Sequence, residues 1–421
     1  MSLWDGLFGR RRVKLSDPAG WNLDFASYSG KVVTADSTMS LAAAWACVRL
    51  RARTVGAMPL DLFQRAPDGG RYIAKDHWLY KLIHDSPNAD QTAYEFWSGQ
   101  TASIDLWGNG YSEKIPGLGG KIVSLEPMRP DLTFVFRDQT TGRKKFRYSD
   151  PRGGQRVLDE DQVFHLRGFT VGGDVGLSAV SYGRHSLGIS LAADETAARV
   201  FANGLQLSGF LELAAGMKPT KEQREQLVQL FEKFAGSHQS GKVMPLEAGW
   251  KFVPLSMNPE DAQLLESRAF NVEEVCRWFE TPPILVGHAS AGQTMWGSGI
   301  EQIVLGWLTT GLDPFLVSIE QAVRKQLIPA AERATLYAEH NRKALLRADS
   351  TARAALYSSG AQNGWMTRNE IREDENEKPL PGGDILTVQS NLVPLDQLGK
   401  TPPRPVQPAP GEPALHPSPA A

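Results

Sequence analysis

The sequence predicts an α+β fold, a block of short strands framed by helices, from three features. Residues 121–170 hold four short apolar runs separated by Pro, Gly and Asp turns, the pattern of short strands in a mixed or antiparallel sheet. Flanking this block are helix-forming stretches, Met39–Met58 and Ser178–Asn203, both dense in Ala and other small residues. Finally, Asn258–Ile328 places a helical pattern on either side of a glycine-rich stretch. Charged residues make up 22% and hydrophobic residues 41% of the 421-residue chain, which is the balance of a folded protein with room for several cores or one elongated subunit.

Taken in order, the chain opens with Trp4, Phe8, Trp21 and Phe25 scattered among glycines and charges, as in an arm that docks on something else. Its basic cluster Arg10–Arg12 follows a short apolar stretch with no cleavage site, so no secretory signal is expected. Met39–Met58 reads as a helix with Ser40 as its cap and Pro59 as its stop. Leu60–Gln64 alternates like a strand and turns at Asp68–Gly70 into a hairpin. Leu79, Leu82 and Ile83 share one helical face, Ser86–Asp90 is a turn, and the helix Tyr94–Leu106 is broken by Gly108 and Gly110. The strands expected next are Ile122–Leu125, Leu132–Phe136, Lys145–Tyr148 and Val163–Leu166. Gly168–Gly176 is a glycine-rich loop with no Gly-Lys-Ser/Thr and no GxGxxG, so it reads as a hinge rather than a phosphate cradle. The helix Ser178–Asn203 carries Gly183, Gly188, Ala192, Ala193, Ala197 and Ala198, small side chains that let helix axes approach closely. Such a stretch of some twenty-five residues spans roughly 38 Å.

Between Gly209 and Ser256 the pattern is strand, amphipathic helix, strand, strand. Leu227, Leu230, Phe231 and Phe234 form the apolar face of that helix, while Lys221, Glu222, Arg224 and Glu225 stay in water. Asn258 and Pro259 then open a helix carrying Leu264, Leu265, Val272, Val275 and Phe279, which Pro282 and Pro283 end. From Glu260 to Glu280 it holds six acidic residues (Glu260, Asp261, Glu266, Glu273, Glu274, Glu280) against two basic ones, Arg268 and Arg277. The segment Gly287–Gly299, with four glycines and two serines and no apolar period, is expected to be a pliable loop. A longer helix starts near Ile300 and ends before Pro329. Its apolar part, Ile303–Ile319, is interrupted by Thr309, Thr310, Asp313 and Pro314, so it reads as a core or subunit-interface helix and no membrane span is expected. A strand at Ala334–Tyr337, helices at Ala344–Ser359 and Thr367–Glu373, and the turn Pro379–Asp384 complete the ordered part. The Pro-rich tail beyond Leu398 is expected to be disordered.

Several classes of chemistry are excluded. A net charge of -2 is not the footprint of a protein that grips nucleic acid through its phosphates. Cys47 and Cys276, distant in sequence and each within a helical pattern, read as buried free thiols of a reducing compartment. The eight histidines, His77, His84 and His165 among them, form no metal set, and there is no HExxH, CxxC or GxSxG. Carboxylate pairs such as Asp159 with Asp161 are what any acidic helical protein carries. No catalytic residue, metal or cofactor is expected.

The runs PEDAQLLESRAF (259–270), RWFETPPILVG (277–287), SGIEQ (298–302) and LDPFLVSIEQAVRKQL (312–327) occur in an order that resembles the portal proteins of tailed double-stranded DNA bacteriophages and their prophage and gene-transfer-agent relatives. The order SPN, EFW, GNGY upstream and NEIRE, PGGD downstream is similar to that family too. The resemblance implies an N-terminal arm (1–38), an α/β wing (39–176), a first stem helix (177–208), a small α/β clip (209–256) and a second stem helix (257–286). A tunnel loop (287–299), a long helix returning to the wing (300–343), a helical crown (344–384) and a largely disordered tail (385–421) would follow. It further implies a dodecameric ring at one capsid vertex of the virion, assembled in the bacterial cytoplasm. Double-stranded DNA would pass through its axial channel during packaging and ejection. The large terminase and later a head–tail connector would bind at the clip, and the major capsid protein would surround the ring.

On that reading His288, Ser290, Gln293, Thr294, Met295, Trp296 and Ser298 face the DNA with weak, exchangeable contacts, and the six acidic residues of the second stem helix line the channel with negative potential. Lys221, Glu222, Arg224, Glu225, Glu232 and Lys233 are the candidates for terminase and adaptor contact. Two competing readings are a metal-dependent phage nuclease, which needs a compact carboxylate set, and a structural adaptor that forms no channel.

Overall fold

The computed structural model describes residues 26–67, 69–202, 209–213, 220–221, 225, 229, 250–254, 270–289, 298–342, 350–375 and 377–387. The chain divides into two compact units, Met1–Ala344 and Leu345–Ala421.

The first unit starts with a short helix α1 (Ala35–Met39), closed by a capping box between Thr34 and Ser37, followed by α2 (Ala42–Gly56). Thr34 therefore provides the side-chain cap here. Ser40, expected to cap, instead ends α1 and donates its hydroxyl to the Ser37 carbonyl, while Leu41 precedes α2 with no side-chain cap. Upstream, Tyr28 stacks on His185 with ring centroids 3.9 Å apart, so the described end of the arm docks on this same chain.

Strands β1 (Leu60–Arg65) and β2 (Arg71–Ile73) form the expected hairpin, and β11 (Leu336–His340) returns to pair antiparallel with the other edge of β1, Leu62 opposite Ala338. Next, α3 (Trp78–Tyr80) runs on into the wide turn Lys81–Asp85, burying Leu79, Leu82 and Ile83 as predicted. Helix α4 (Ala93–Trp107) has a capping box of Thr92 with Glu95 and ends on left-handed Gly108.

The strand block forms not one sheet but two three-stranded antiparallel sheets. In one, β3 (Asn109–Pro116) lies between β4 (Ile122–Met128) and β8 (Val163–Arg167); in the other, β6 (Lys144–Asp150) lies between β5 (Thr133–Arg137) and β7 (Gly154–Asp159). Between them Tyr111, Met128, Val135, Phe146, Leu158 and Val163 make a closed cluster, with Tyr111 and Phe146 in edge contact at 5.9 Å. Strand β7 was not expected. Its sequence GQRVLD buries only Leu158, so it carries no alternation to read.

The loop Gly168–Gly176, expected to be a hinge, is fixed at both ends. Gly168 N donates to Gly108 O at 2.9 Å, and Asn109 holds Gly176 by accepting from its N–H (2.7 Å) and donating to its carbonyl (3.0 Å). A Cβ on Gly176 would collide with the Gly108 carbonyl, and one on Gly108 would lie 2.6 Å from the Leu177 carbonyl oxygen. Only glycine allows these backbones to touch.

The helix expected from Ser178 is divided at Gly183 into α5 (Ala179–Tyr182), capped by Ser178, and α6 (Arg184–Ala202). Gly183 is also where the close approach foreseen from small residues occurs, since a Cβ there would lie 2.8 Å from the Trp278 ring. Strands β9 (Gly209–Leu213) and β10 (Trp250–Pro254) pair antiparallel. Helix α7 covers 270–278, followed by a short 3-10 turn, Pro283–Val286, closed by left-handed Gly287.

The long helix comprises α8 (Ser298–Gly306), a π-helical segment Trp307–Leu312, and α9 (Asp313–Gln326). The wide turn sits immediately before Pro314, whose ring cannot follow a regular turn. Thr309 and Thr310 donate their hydroxyls back to the carbonyls of Leu305 and Gly306, occupying acceptors around the irregular turn. By length and composition its 28-residue stretch Gly299–Gln326 is apolar enough to cross a bilayer. Within the protein, Trp307, Leu312, Phe315, Leu316, Ile319 and Val323 are buried, and α9 packs on β11.

In the second unit, α10 (Ser350–Gln362) precedes α11 (Arg368–Asp374), which starts with a capping box of Thr367 and Glu370. Asn369 staples the turn that follows, accepting from Leu380 N–H at 2.8 Å and donating to the Leu380 carbonyl at 3.0 Å.

Candidate functional site

Helices α2, α4, α7 and the long helix converge on Arg51. The α2–α7 face is apolar, with Ala44, Cys47 and Val48 packed against Val275, Cys276 and Phe279. One turn on from Cys47, Arg51 projects at the edge of this cluster because 47 and 51 share a face at i, i+4. Its side chain is 7% exposed. Nη1 donates to Glu280 Oε2 at 3.0 Å, Nε lies 3.2 Å from Asp105 Oδ1 on α4, and the carbon sits 4.8 Å from the Phe315 ring centre on α9.

Burial works against the Arg51 charge, yet Asp105 and then Glu280 outweigh it and hold the guanidinium above its ordinary pKa. Asp105 shifts the other way for a carboxylate. Burial pushes it up to about 6 despite Arg51, with Glu280 adding to the rise. The geometry explains the difference, because Arg51 Nε is off line for a hydrogen bond to Asp105 and Asp105 Oδ2 has no hydrogen-bond partner.

Helix α7 ends in a tight cap. Thr281 N–H returns to the Cys276 carbonyl at 3.0 Å, and this requires a left-handed residue at 280. That residue is Glu280, φ +50°, among the described residues the one non-glycine in that region. Glycine would suit the backbone better by about 1 kcal/mol, but it would lack the carboxylate that meets Arg51. The Glu280 carbonyl also accepts from Trp307 Nε1 at 3.0 Å, so the wide turn of the long helix is tied to the same residue.

Beside this joint runs an open groove of about 680 Å³ lined by α7 and the long helix, including Glu273, Cys276, Arg277, Glu280, Trp307 and Thr310. At its base Cys47 donates its S–H to Cys276 Sγ at 3.6 Å. Both thiols are free and buried, as expected, but residues 229 apart in sequence have become neighbours. That bond, with burial, raises the Cys47 pKa, and the same bond lowers that of Cys276 against the opposing effect of its burial.

Of the acidic candidates, Glu273, Glu274 and Glu280 are described, and each has a cationic neighbour. Arg277 pairs with Glu274 and lies 3.8 Å from Glu273, whose other oxygen lies 3.9 Å from His288 Nε2. The field at this end of α7 is weaker than the residue count suggests. Glu260, Asp261 and Glu266 lie outside the described residues, as do the loop candidates Ser290, Gln293, Thr294, Met295 and Trp296. His288, whose N–H donates to the Pro283 carbonyl at 3.0 Å, is the described start of that loop, and Ser298 opens α8. Lys221 and Glu225 are exposed, whereas Glu222, Arg224, Glu232 and Lys233 lie outside the described residues. Among the described residues no group of His, Cys, Asp and Glu is placed to hold a metal ion.

Residues 42–376 match the family model described as phage portal protein. The chain belongs to that family. The portal protein of Enterobacteria phage HK97 is 34% identical over 363 residues, covering 86% of this chain and 84% of its own length. A probable portal protein of Streptomyces phage phiC31 is 30% identical over 409 residues, covering 91% and 87%. The portal fold is shared with an HK97-family phage portal protein from Corynebacterium diphtheriae, TM-score 0.56 at 15% identity over 76% of this chain and all of that one. It is shared as well with a chain from the neck of a native gene transfer agent particle determined with C12 symmetry, TM-score 0.55 at 21% identity over 84% and 98%. The mixed helix-and-sheet fold expected from the sequence is thus that of portal structures.

Sequence reading overlooked the portal chain's joint. Arg51 and Asp105 lie on helices whose contact no spacing reveals, and Trp307 reads as one more apolar residue of the long helix. One signal was available: Arg51 shares a helical face with Ala44, Cys47, Val48 and Val55, and a cation on so apolar a face calls for a partner.

Proposed function

We propose that this portal chain assembles into a twelve-membered ring with an axial channel, at one capsid vertex of a phage or gene-transfer-agent particle, through which double-stranded DNA is packaged and ejected. The observation that carries the reading is the family match across residues 42–376, and a ring of twelve agrees with the C12 symmetry of the gene-transfer-agent neck whose chain shares this fold.

In this reading α6 and α7 are the stem and the 209–256 segment is the clip. There Lys221, Glu222, Arg224, Glu225, Glu232 and Lys233 meet the large terminase and afterwards the head–tail connector, while the major capsid protein contacts the outside. The protein performs no chemistry of its own and needs neither cofactor nor membrane. Glu260, Asp261, Glu266, Glu273 and Glu274 keep the wall from adhering to phosphates, and the loop from His288 to Ser298 narrows the passage with neutral polar groups. Glu280 has a second task, since its carboxylate also holds Arg51.

Electron microscopy of the purified full-length chain tests the reading. Rings with twelve-fold symmetry and a central hole are expected, and particles without an aperture would end it. Channel lining is tested separately: Glu273→Lys with Glu274→Lys should leave rings intact but make DNA retention rise as salt falls. Retention unchanged from wild type would remove α7 from the wall.

A further inference from the structure

Cys47 and Cys276 stand in a relation that packing alone does not require. They come from different helices and point at each other across the α2–α7 interface, with sulfurs 3.6 Å apart. The two sulfurs differ in access. Both side chains are buried, Cys47 fully and Cys276 with 1% left exposed, but Cys276 lines the open groove between α7 and the long helix and Cys47 does not. A water-sized reagent entering the groove therefore meets Cys276 first, with Cys47 in place to react second. Their hydrogen bond adds to this asymmetry, since it favours the thiolate at Cys276 and disfavours it at Cys47.

We propose that Cys47 and Cys276 form a reversible redox site, oxidised by a hydroperoxide that enters through the groove, and that the resulting disulfide ties α2 covalently to α7. The steps balance. The Cys276 thiolate attacks one oxygen of hydrogen peroxide, the O–O bond breaks, hydroxide leaves and a sulfenic acid forms. Cys47 then attacks the Cys276 sulfur, the S–O bond breaks, and the Cys47 proton together with that hydroxyl leaves as water. The dithiol has lost two electrons and the peroxide has become two waters. A thiol reductant reverses the change by exchange. The bond needs the sulfurs to close to about 2.05 Å, a movement of roughly 1.5 Å. Its consequence is mechanical, because the tie lies one helical turn from the Arg51–Glu280 contact and would hold α7 on α2 even with that ion pair broken.

The experiment treats the reduced full-length chain with hydrogen peroxide, quenches with a thiol-blocking reagent, and maps peptides without reduction. The expected result is a Cys47–Cys276 cross-linked peptide, two thiols lost, and an apparent Tm raised by roughly 5–10 °C that dithiothreitol reverses, as a link closing so long a loop should do. In Cys47→Ser, Cys276 should be trapped by a sulfenic-acid reagent. In Cys276→Ser, Cys47 should stay unmodified at the same dose. If either variant fails to fold, the wild-type peptide map decides alone. Two free thiols after treatment, cross-links only between chains, or oxidation that reaches sulfinic acid at Cys276 without a disulfide would each overturn the proposal.

Discussion

The interface between the two sheets and the joint around Arg51 are both buried, but they are built from different materials. Tyr111 and Phe146 meet inside an apolar cluster to which each sheet contributes side chains that have no other place to go. At the joint, one cation, two carboxylates, two thiols and an indole N–H hold four helices through directed contacts. Apolar packing of the first kind tolerates no partial state, because removed volume is simply lost. Directed contacts of the second kind can be made or broken singly, by a proton, by an oxidant or by a shift of one carboxylate. A rigid platform and an adjustable seam are the physical outcome.

Substitutions can break this contrast or sharpen it. The largest loss is expected from Phe146→Ala, about 3–5 kcal/mol by chemical denaturation and nearly independent of pH, since only packing is removed. Arg51→Met should cost about 3 kcal/mol at neutral pH, because it strands Asp105 in the interior. A double variant with Asp105→Asn should recover part of that loss, and an additive double-mutant cycle would show that the two residues do not interact.

The third test concerns protons. With Asp105 pushed up to about 6 from 3.8, the folded chain holds a proton between those values that the unfolded chain has released. Its contribution is therefore full below about pH 4 and is lost as pH rises through about 6. Relative to Asp105→Asn, the wild type should gain about 2–3 kcal/mol on going from pH 7 to pH 4, and parallel profiles would refute it. At the end of α7, Glu280→Gly and Glu280→Ala both lose Arg51, but glycine should be the more stable of the two by about 1 kcal/mol, since only alanine is strained at positive φ. The smallest effect is expected from His288→Ala, within about 0.5 kcal/mol, because its contact with Glu273 is long and partly solvated.

How much of this could be read in advance depended on whether the signal was local. Capping residues, proline stops and apolar periods are local, so α4, β8, the β1–β2 hairpin and the start of α5 were legible. Helix α2 was legible too, although its cap was misjudged: Ser40 sits where a cap could be, but Thr34 and Ser37 start a separate short helix first. Strand β7 was missed because a strand that buries one side chain has no period to detect. Gly168–Gly176 was misread as a hinge because a run of glycines looks the same whether it swings or is pressed against another backbone; only the contact with Gly108 tells them apart. The joint was invisible for the same reason. The acidic count from Glu260 to Glu280 is a fact of sequence, but Glu273, Glu274 and Glu280 have Arg277, His288 and Arg51 beside them, which the count alone does not reveal.

The wide turn at Trp307–Leu312 has a geometric consequence for the helix that contains it. A π turn accommodates one residue more than an α turn, so side chains after it are out of phase with those before it by about 100°. Trp307 can thus address the carbonyl that closes α7 while Phe315, Ile319 and Val323 point into the interior beside β11. A regular helix of this length would present a single slowly drifting stripe. With the extra residue, one rod serves two neighbours on different flanks, and its two halves keep a fixed angular offset for as long as Pro314 forbids the turn to straighten.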